Sequence, residues 1–312
     1  MMDKSVSDKQ SQTGALLPAQ GTRQKAADET PLPQGDEEVY RDDEELVYNQ
    51  TTDKVEKIRS FEGGMGRLYD RRLLHQVRQG SVPQHIAVIM DGNRRFTLEM
   101  GLVRNAGHKI GKEKVRQVMR WCRDMGVKYL TVYALSVENF NRSGDELEEL
   151  YKLYAAGFLE LAEDEEIHRD QVRCQAVGHL QLMPATVRHA IAVATEATKA
   201  YHNMVFTVCL AYGGRQELVE AIRGIVRDHA EGKIEIDEIS EGTVSRYLYT
   251  NNLPDPDLVI RTSGEVRISN FLLWQLAYAE LCFIDVHWPV FRKRDFLRAI
   301  RTYQGRQRRY GS

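Results

Sequence analysis

Residues 85–95, HIAVIMDGNRR, run apolar and then stop at a carboxylate, a glycine and an amide, followed by two arginines. Ile86 to Met90 has the composition of a strand buried on both faces, and Asp-Gly is a common turn, so the stretch has an ordinary reading as a strand and its turn. It also has a chemical one. Open parallel sheets bind their ligands at the carboxyl ends of their strands. At such an end Asp91 would hold a divalent cation, while Arg94, Arg95 and free backbone N–H groups would receive phosphate oxygens.

Other strand-like runs end in comparable loops. After 128–135 comes Ser136-Val137-Glu138-Asn139-Phe140-Asn141-Arg142, and after 205–210 comes Ala211-Tyr212-Gly213-Gly214-Arg215. After 257–260 comes Arg261-Thr262-Ser263-Gly264-Glu265, then Arg267-Ile268-Ser269-Asn270. Arginine forks match phosphate geometry, so several such loops at one sheet edge point to a site for a polyanion.

The elements that must position these loops follow from periodicity. Strands are expected at 85–90, 128–135, 172–177, 205–210, 257–260 and 281–286. Helical patterns lie between or after them at about 109–125, 145–168, 184–202, 214–231 and 293–309. This alternation predicts a single α/β domain over 83–312, with βαβ crossovers, a mostly parallel sheet and helices on both faces. Residues 1–60 carry 13 Asp/Glu against 8 Lys/Arg and few apolar residues, and are expected to form a disordered acidic tail. Residues 61–82 are expected to hold an amphipathic helix and a lead-in, with Leu68, Leu73, Leu74 and Val77 as the stripe. That stripe suits either docking on the domain or a peripheral contact with a membrane surface.

Composition narrows the function classes. The net charge of −2 gives no global attraction to nucleic acid. No apolar run reaches bilayer length, and the first residues do not resemble a secretory signal. Cys122, Cys174, Cys209 and Cys282 are too scattered for zinc or a redox pair, which suits reduced thiols in a cytoplasmic protein. His85, His287, Trp121, Trp274 and Trp288 sit in apolar contexts and are expected to pack rather than bind ligands.

Taken in order, DGNRR, GHKIG, SVENFNR, AYGGR, RTSGEVRISNFLLWQLAYAE and a terminal RYG resemble the cis-prenyltransferases, or undecaprenyl (polyprenyl) diphosphate synthases. The resemblance covers about residues 83–311, and the paired arginine is closer to archaeal and eukaryotic members than to the bacterial type. It implies condensation of isopentenyl diphosphate with an allylic diphosphate, farnesyl or geranylgeranyl diphosphate, to a long-chain polyprenyl diphosphate that would serve as a glycosyl carrier lipid precursor. Asp91 would bind Mg²⁺ and help ionise the allylic substrate. Gly92, Asn93, Arg94 and Arg95 would cradle its diphosphate, assisted by Arg104 and His108, with Phe96 and Phe140 against the prenyl chain. Ser136, Val137, Glu138, Asn139 and Arg142 would form the loop between the substrates, with Asn139 orienting rather than removing a proton. Arg261, Arg267, Ile268 and Ser269 would hold isopentenyl diphosphate, and Glu280 would be a second metal ligand. Arg309 and Gly311 would reach across a homodimer interface.

The same resemblance places a product tunnel between sheet and helices. Val172, Cys174 and Ala176 on one strand face, and Ala155-Ala156-Gly157 on a helix, are small enough to leave room for it. Val266, Ala211 and Ser143 depart from bacterial His, Asn and Pro at the matching places. Three other readings stay open: an irregular coupling to another acceptor, a non-catalytic partner subunit, and a phosphatase built on Asp91. The last lacks its second carboxylate, since Asn93 stands there.

Overall fold

A computed structural model describes residues 44–59, 64–103 and 105–307, all within one compact unit. Two strands come first, β1 (Glu44–Asn49) and β2 (Lys54–Arg59), paired antiparallel. Helix α1 (Gly64–Arg78) follows, then β3 (His85–Ile89), α2 (Asn93–Glu99), α3 (Ala106–Met125) and β4 (Tyr129–Tyr133). Next are α4 (Gly144–Glu163), α5 (Glu165–Arg169), β5 (Val172–Val177), α6 (Ala185–Thr198), β6 (Met204–Cys209) and α7 (Gly214–Ala230). The chain ends through α8 (Glu241–Tyr247), β7 (Leu258–Arg261), β8 (Glu280–Phe283) and α9 (Lys293–Gln307).

Strands β3 to β8 form one six-stranded sheet in the order β5-β6-β4-β3-β7-β8, every neighbouring pair parallel. The expected fold class holds. Side-chain alternation explains its two cores. Ile86 and Val88 face a large core built with α1, α3, α4, α6 and α9, while Ala87 and Ile89 face a second one around Tyr133, Tyr212 and Phe271. The buried histidine fits its expected packing role: His85 meets the Pro254 carbonyl through Nδ1 at 2.7 Å and Thr131 Oγ1 through Nε2 at 2.8 Å.

The amino-terminal expectation needs correction. Within the supposed tail of 1–60, β1 and β2 form a hairpin whose Leu46 and Tyr48 are buried with Phe96, Ala106 and Ile110, while Val47 points outward. A strand that gains its cover from tertiary docking carries little local signal. Residues 1–43 and 60–63 lie outside the described residues, and so does the rest of that expectation. Helix α1 spends its stripe on docking: Leu73, Leu74 and Val77 enter the main core, and Asp70 accepts from Arg294 Nε and Nη2 at 2.6 and 2.7 Å. Leu68 alone of the stripe stays exposed. No helix among the described residues is long and apolar enough to cross a membrane.

Element boundaries shift in two informative places. The expected helix over 145–168 breaks at Asp164, whose carboxylate accepts from the Glu166 and Ile167 N–H groups and so starts α5. The short helices α2 and α8 were not expected at all.

Burial of His85 outweighs its hydrogen bonds and holds the ring down at about 4, against an ordinary 6.5. The unfolded chain therefore takes up the proton first. The contribution of this group is complete above about pH 6.5 and disappears towards about pH 4, a loss on the order of 3 kcal/mol. Urea unfolding between about pH 7 and 4.5 should show stability falling with pH, and His85→Gln should flatten that slope. An unchanged slope in the variant would refute a neutral buried His85.

Candidate active site

The sheet order fixes where a site can form. From β3 the chain moves to β4 on one side and later returns as β7 on the other, so a crevice opens beyond the carboxyl ends of these strands. Asp91 stands just past β3, and Arg261 is the last residue of β7. Arg261 Nη2 donates to Asp91 Oδ2 at 2.8 Å, and its Nη1 donates to Ser269 Oγ at 2.8 Å and to the Arg267 carbonyl. Asp91 Oδ1 accepts from Gly92 N–H at 2.7 Å and faces Arg95 Nη2 at 3.4 Å. Thr262 closes the corner, accepting from Asp91 N–H at 3.0 Å and donating to its carbonyl at 2.7 Å.

These contacts set the charge of the site. Burial pushes the Asp91 carboxyl up, but Arg261, Arg95 and the Gly92 N–H more than offset this and hold it below the usual range. Asp91 is therefore an ionised oxygen donor at neutral pH. Arg261 is 3 % exposed, so these partners offset the cost of burying its charge.

The loop after β7 reaches its position through a left-handed backbone at Ser263, Ser269 and Asn270. Asn270 then ties three strand ends together. Its Oδ1 accepts from Arg215 N–H at 2.9 Å, its Nδ2 donates to Glu138 at 2.9 Å, and its carbonyl accepts from Gly214 N–H at 2.7 Å. In the loop after β4, Asn139 Oδ1 accepts from Ser136 N–H at 3.1 Å, which locks the amide in its own turn.

On the other side, α2 and α3 pack at backbone distance. A Cβ on Gly107 would lie 2.2 Å from the Asn93 carbonyl, and one on Gly111 would lie 2.5 Å from Asn93 Oδ1, which is why the GHKIG stretch carries glycine twice. Gly92 adopts φ +101°, and a Cβ there would strike His287. His108 is pushed down to about 4 by burial and by Arg142, so it is a neutral imidazole. Asn93 Oδ1, His108 Nε2 and Arg261 Nε are buried without a hydrogen-bond partner, and all three residues line one cavity.

That cavity has a volume of about 600 Å³. Its polar end holds Asp91, Asn93, His108, Ser136, Glu138, Asn139, Arg142, Arg261 and Ser269. Its apolar body runs between α3 and α4 over the sheet, against Val115, Met119, Tyr154, Phe158, Leu161 and Phe206. At the mouth, a more open hollow is bordered by Arg94, Arg142 and the buried Glu146, which accepts from Arg142 at 2.9 Å.

Several expected site residues stand elsewhere. Phe96 is buried in the hairpin cluster and does not line the cavity. Phe140 packs on the main core, Ile268 on the second core, and Val137 binds the Tyr212 carbonyl through its N–H. The Arg267 side chain is exposed and pairs with Glu265, which also holds Arg95 at 3.0 Å. Glu280 begins β8 in register with Leu258 and Ile86, at the amino end of the sheet, and pairs with Arg306 at 2.8 Å. Within this chain it is therefore not a co-ligand of Asp91. The tunnel expectation also moves: Gly157 lines the cavity, but Ala156 faces outward and Cys174 packs beneath α6. Arg104, Arg309 and Gly311 lie outside the described residues.

Sequence reasoning assigned no individual role to Asn270, Thr262 or Glu146, and expected Trp288 only to pack. Glu146 carried a readable signal, since it stands four residues after Arg142 on a helix start. Trp288 is fully buried, donates to the Gly111 carbonyl at 2.9 Å and closes the cavity floor.

This chain is similar to proteins of known kind. The family model for undecaprenyl diphosphate synthases matches residues 89–311, a span that starts after the hairpin. A tritrans,polycis-undecaprenyl-diphosphate synthase (geranylgeranyl-diphosphate specific) of Methanopyrus kandleri is 53 % identical over 245 residues, covering 78 % of this chain and 90 % of that one. The enzyme of the same name from Pyrococcus horikoshii is 50 % identical over 244 residues, covering 78 % and 92 %. Among solved structures, lavandulyl diphosphate synthase from Lavandula x intermedia, in complex with dimethylallyl diphosphate, superposes with a TM-score of 0.69 at 35 % identity, covering 72 % of this chain and 95 % of that one. A carboxylate–arginine cluster at a switch point, opening on an apolar channel, is thus set in a matching sequence: the chain belongs to the undecaprenyl diphosphate synthase family, the cis-prenyltransferases.

Proposed function

We propose that this protein condenses isopentenyl diphosphate with an allylic diphosphate, with geranylgeranyl diphosphate as starter, and releases a long-chain cis-polyprenyl diphosphate. The observation that carries this reading is the cavity itself. In a cavity of about 600 Å³, one end is lined by Asp91, Arg261, Arg142 and His108, and the remainder is a mainly apolar channel. Such a shape suits a diphosphate at one end and a growing hydrocarbon at the other. The relatives' specificity for geranylgeranyl diphosphate supports the choice of starter.

Asp91 suits Mg²⁺ as a single hard, ionised oxygen donor beside a diphosphate pocket. Among the described residues no group of three His, Cys, Asp or Glu side chains would hold a metal alone, so phosphate and water oxygens would complete the shell. When bound, Mg²⁺ would supply positive charge to the departing diphosphate. Arg94 and Arg95 of α2 would share that charge. Breaking the allylic C–O bond leaves a cation at carbon, which the double bond of isopentenyl diphosphate attacks to form the new C–C bond. A proton is then lost from the isopentenyl unit. Asn139 holds its own turn and is a poor base, so it orients, and the released diphosphate takes the proton. Arg261 and Ser269 would bind the diphosphate of isopentenyl diphosphate.

The test supplies labelled isopentenyl diphosphate, Mg²⁺ and each starter from C5 to C20, and reads product length and double-bond geometry. The C20 starter should give the fastest elongation, with cis bonds throughout the added units. Asp91→Ala should cut turnover by about a hundredfold or more with the fold intact. Metal-independent elongation by that variant would remove Asp91 from the reaction.

Channel walls should set chain length, because packed interiors resist added volume. Gly157→Leu, in the cavity wall, should shorten the main product, whereas Ala156→Phe, on the outer face, should leave it unchanged. The reverse pattern would move the channel to the other side of α4.

The proposal includes a homodimer in which Arg309 and Gly311 complete the neighbour's site. A form lacking 309–312 mixed with Asp91→Ala should regain part of the lost activity, since one site per mixed dimer keeps both features. No recovery despite subunit exchange would count against sharing. Membrane association would rest on surface contacts alone, with Leu68 and Tyr69 exposed on α1.

A further inference from the structure

The β1–β2 hairpin sits on the two elements that bear the allylic-diphosphate residues. Leu46 and Tyr48 form one apolar cluster with Phe96 of α2 and with Ala106 and Ile110 of α3, and Val55 and Leu102 pack against it. Phe96 follows Asn93, Arg94 and Arg95 on α2, and Ala106 and Ile110 flank His108 on α3. The cluster thus covers the seam between α2 and α3 on the side away from the cavity.

Polar contacts pin both ends of the hairpin. At the turn, Asn49 Oδ1 accepts from Thr51 and Thr52 N–H at 3.0 and 3.2 Å, and Asp53 takes a left-handed φ of 53°. Asp53 pairs with Lys109 of α3 at 2.5 Å and accepts from the Tyr48 hydroxyl. Lys109 Nζ also lies 5.9 Å above the Tyr48 ring centre. At the other end, Glu45 pairs with Arg292 at 3.3 Å, just before α9.

The seam beneath is joined by few contacts of its own. Thr97 Oγ1 donates to the Asn93 carbonyl at 2.9 Å and accepts from Gly107 N–H at 3.0 Å, so α2 and α3 are joined by one hydroxyl and by glycine contact. Helix α2 has only 7 residues, too few to be stable without tertiary support. On its outward side Leu98 is largely exposed, and so is Met100 just past its end. Its buried anchor is Phe96, whose cover includes the hairpin.

We propose that the hairpin is a positioning element for the allylic diphosphate: by clamping the α2–α3 seam it sets the spacing between Asn93–Arg95 and His108. This rests on the functional reading above. Leu46, Tyr48 and Asp53 act through α2 and α3 and touch no substrate.

The test uses the full chain. Replacing Leu46 by Asp together with Tyr48 by Ser should raise KM for the allylic diphosphate about tenfold and leave KM for isopentenyl diphosphate within about twofold. Tyr48→Phe keeps the ring and should stay close to the native allylic KM. Amide exchange needs no substrate: in the double variant the amides of α2 and of 106–110 should lose protection while those of β4 and β6 keep theirs. Asp53→Ala alters an exposed turn and cannot unfold the domain, so it carries the same test in milder form, with an allylic KM about two- to threefold higher. Equal rises in both KM values, or unchanged α2 protection while the hairpin amides exchange freely, would overturn the clamp. If the native protein elongates no starter, the functional reading fails, and the exchange measurement still decides for or against the clamp.

Discussion

The ion pair between Asp91 and Arg261 is the constraint from which the rest of the site follows. A guanidinium at 3 % exposure is costly to bury without acceptors on several sides. Asp91 provides one from the end of β3, and the Arg267 carbonyl and Ser269 Oγ provide two from the loop after β7. The pair joins the ends of β3 and β7, and satisfying Arg261 draws the 263–270 loop back over the sheet edge. Once that loop is there, Asn270 meets Glu138, Gly214 and Arg215, so the loops after β4 and β6 are fixed by the same need. Removing either charge would leave its partner without a counter-charge but with its other hydrogen bonds, so the pair orders the site as well as charging it.

The two sheet faces divide the labour. The face of Ala87 and Ile89 is closed by stacked aromatics, with Tyr133 and Phe271 ring centres 4.6 Å apart. It supports the 268–276 segment, and Tyr133 donates to the Tyr212 carbonyl at 3.1 Å. The opposite face carries the cavity, and there Val132, Phe206 and Val208 form the floor. A rigid face thus backs the polar loops, while the hollow face leaves space for hydrocarbon.

Much of this was legible in the chain because two-sided burial leaves a distinctive mark. HIAVI, YLTVY and MVFTVC are apolar at nearly every position, and only a central parallel strand demands that. The polar ends of the first two runs located Asp91 and Ser136, and the end of the shorter run LVIR located Arg261. What failed depends on angle and register rather than on residue type. Phe96 belongs to the motif, but one residue of helix turns its side chain about 100° from Arg95 and into the hairpin cluster. Glu280 belongs to it too, yet as the first residue of a parallel strand it stands at the far edge of the sheet. Ala156 and Gly157 differ by the same helical step, and only Gly157 faces the cavity. The hairpin escaped notice because its burial comes from a surface formed some fifty residues later, which no local pattern records.

A channel for a lengthening hydrocarbon poses a packing problem, since apolar helices left to themselves close the gap between them. Helix α4 packs closely on α6 but touches α3 little, and the seam between α3 and α4 is spanned by charge. Lys112 and Arg116 meet Glu160 of α4 at 2.8 and 2.9 Å, and further along α3 Arg116 meets Asp164, Arg120 meets Glu166 at 3.6 Å and Arg123 meets Asp170, all three on or beside α5. Long side chains reaching toward each other hold two helices apart while their stems still cover the apolar space between. Partly exposed pairs of this kind contribute little stability each, on the order of 0 to 1 kcal/mol, so they separate at low cost. The seam therefore bounds the channel without making its width rigid. Rigidity is concentrated instead at the Asp91–Arg261 corner, where the reacting atoms must be held, and not along the wall that accommodates a product of increasing size.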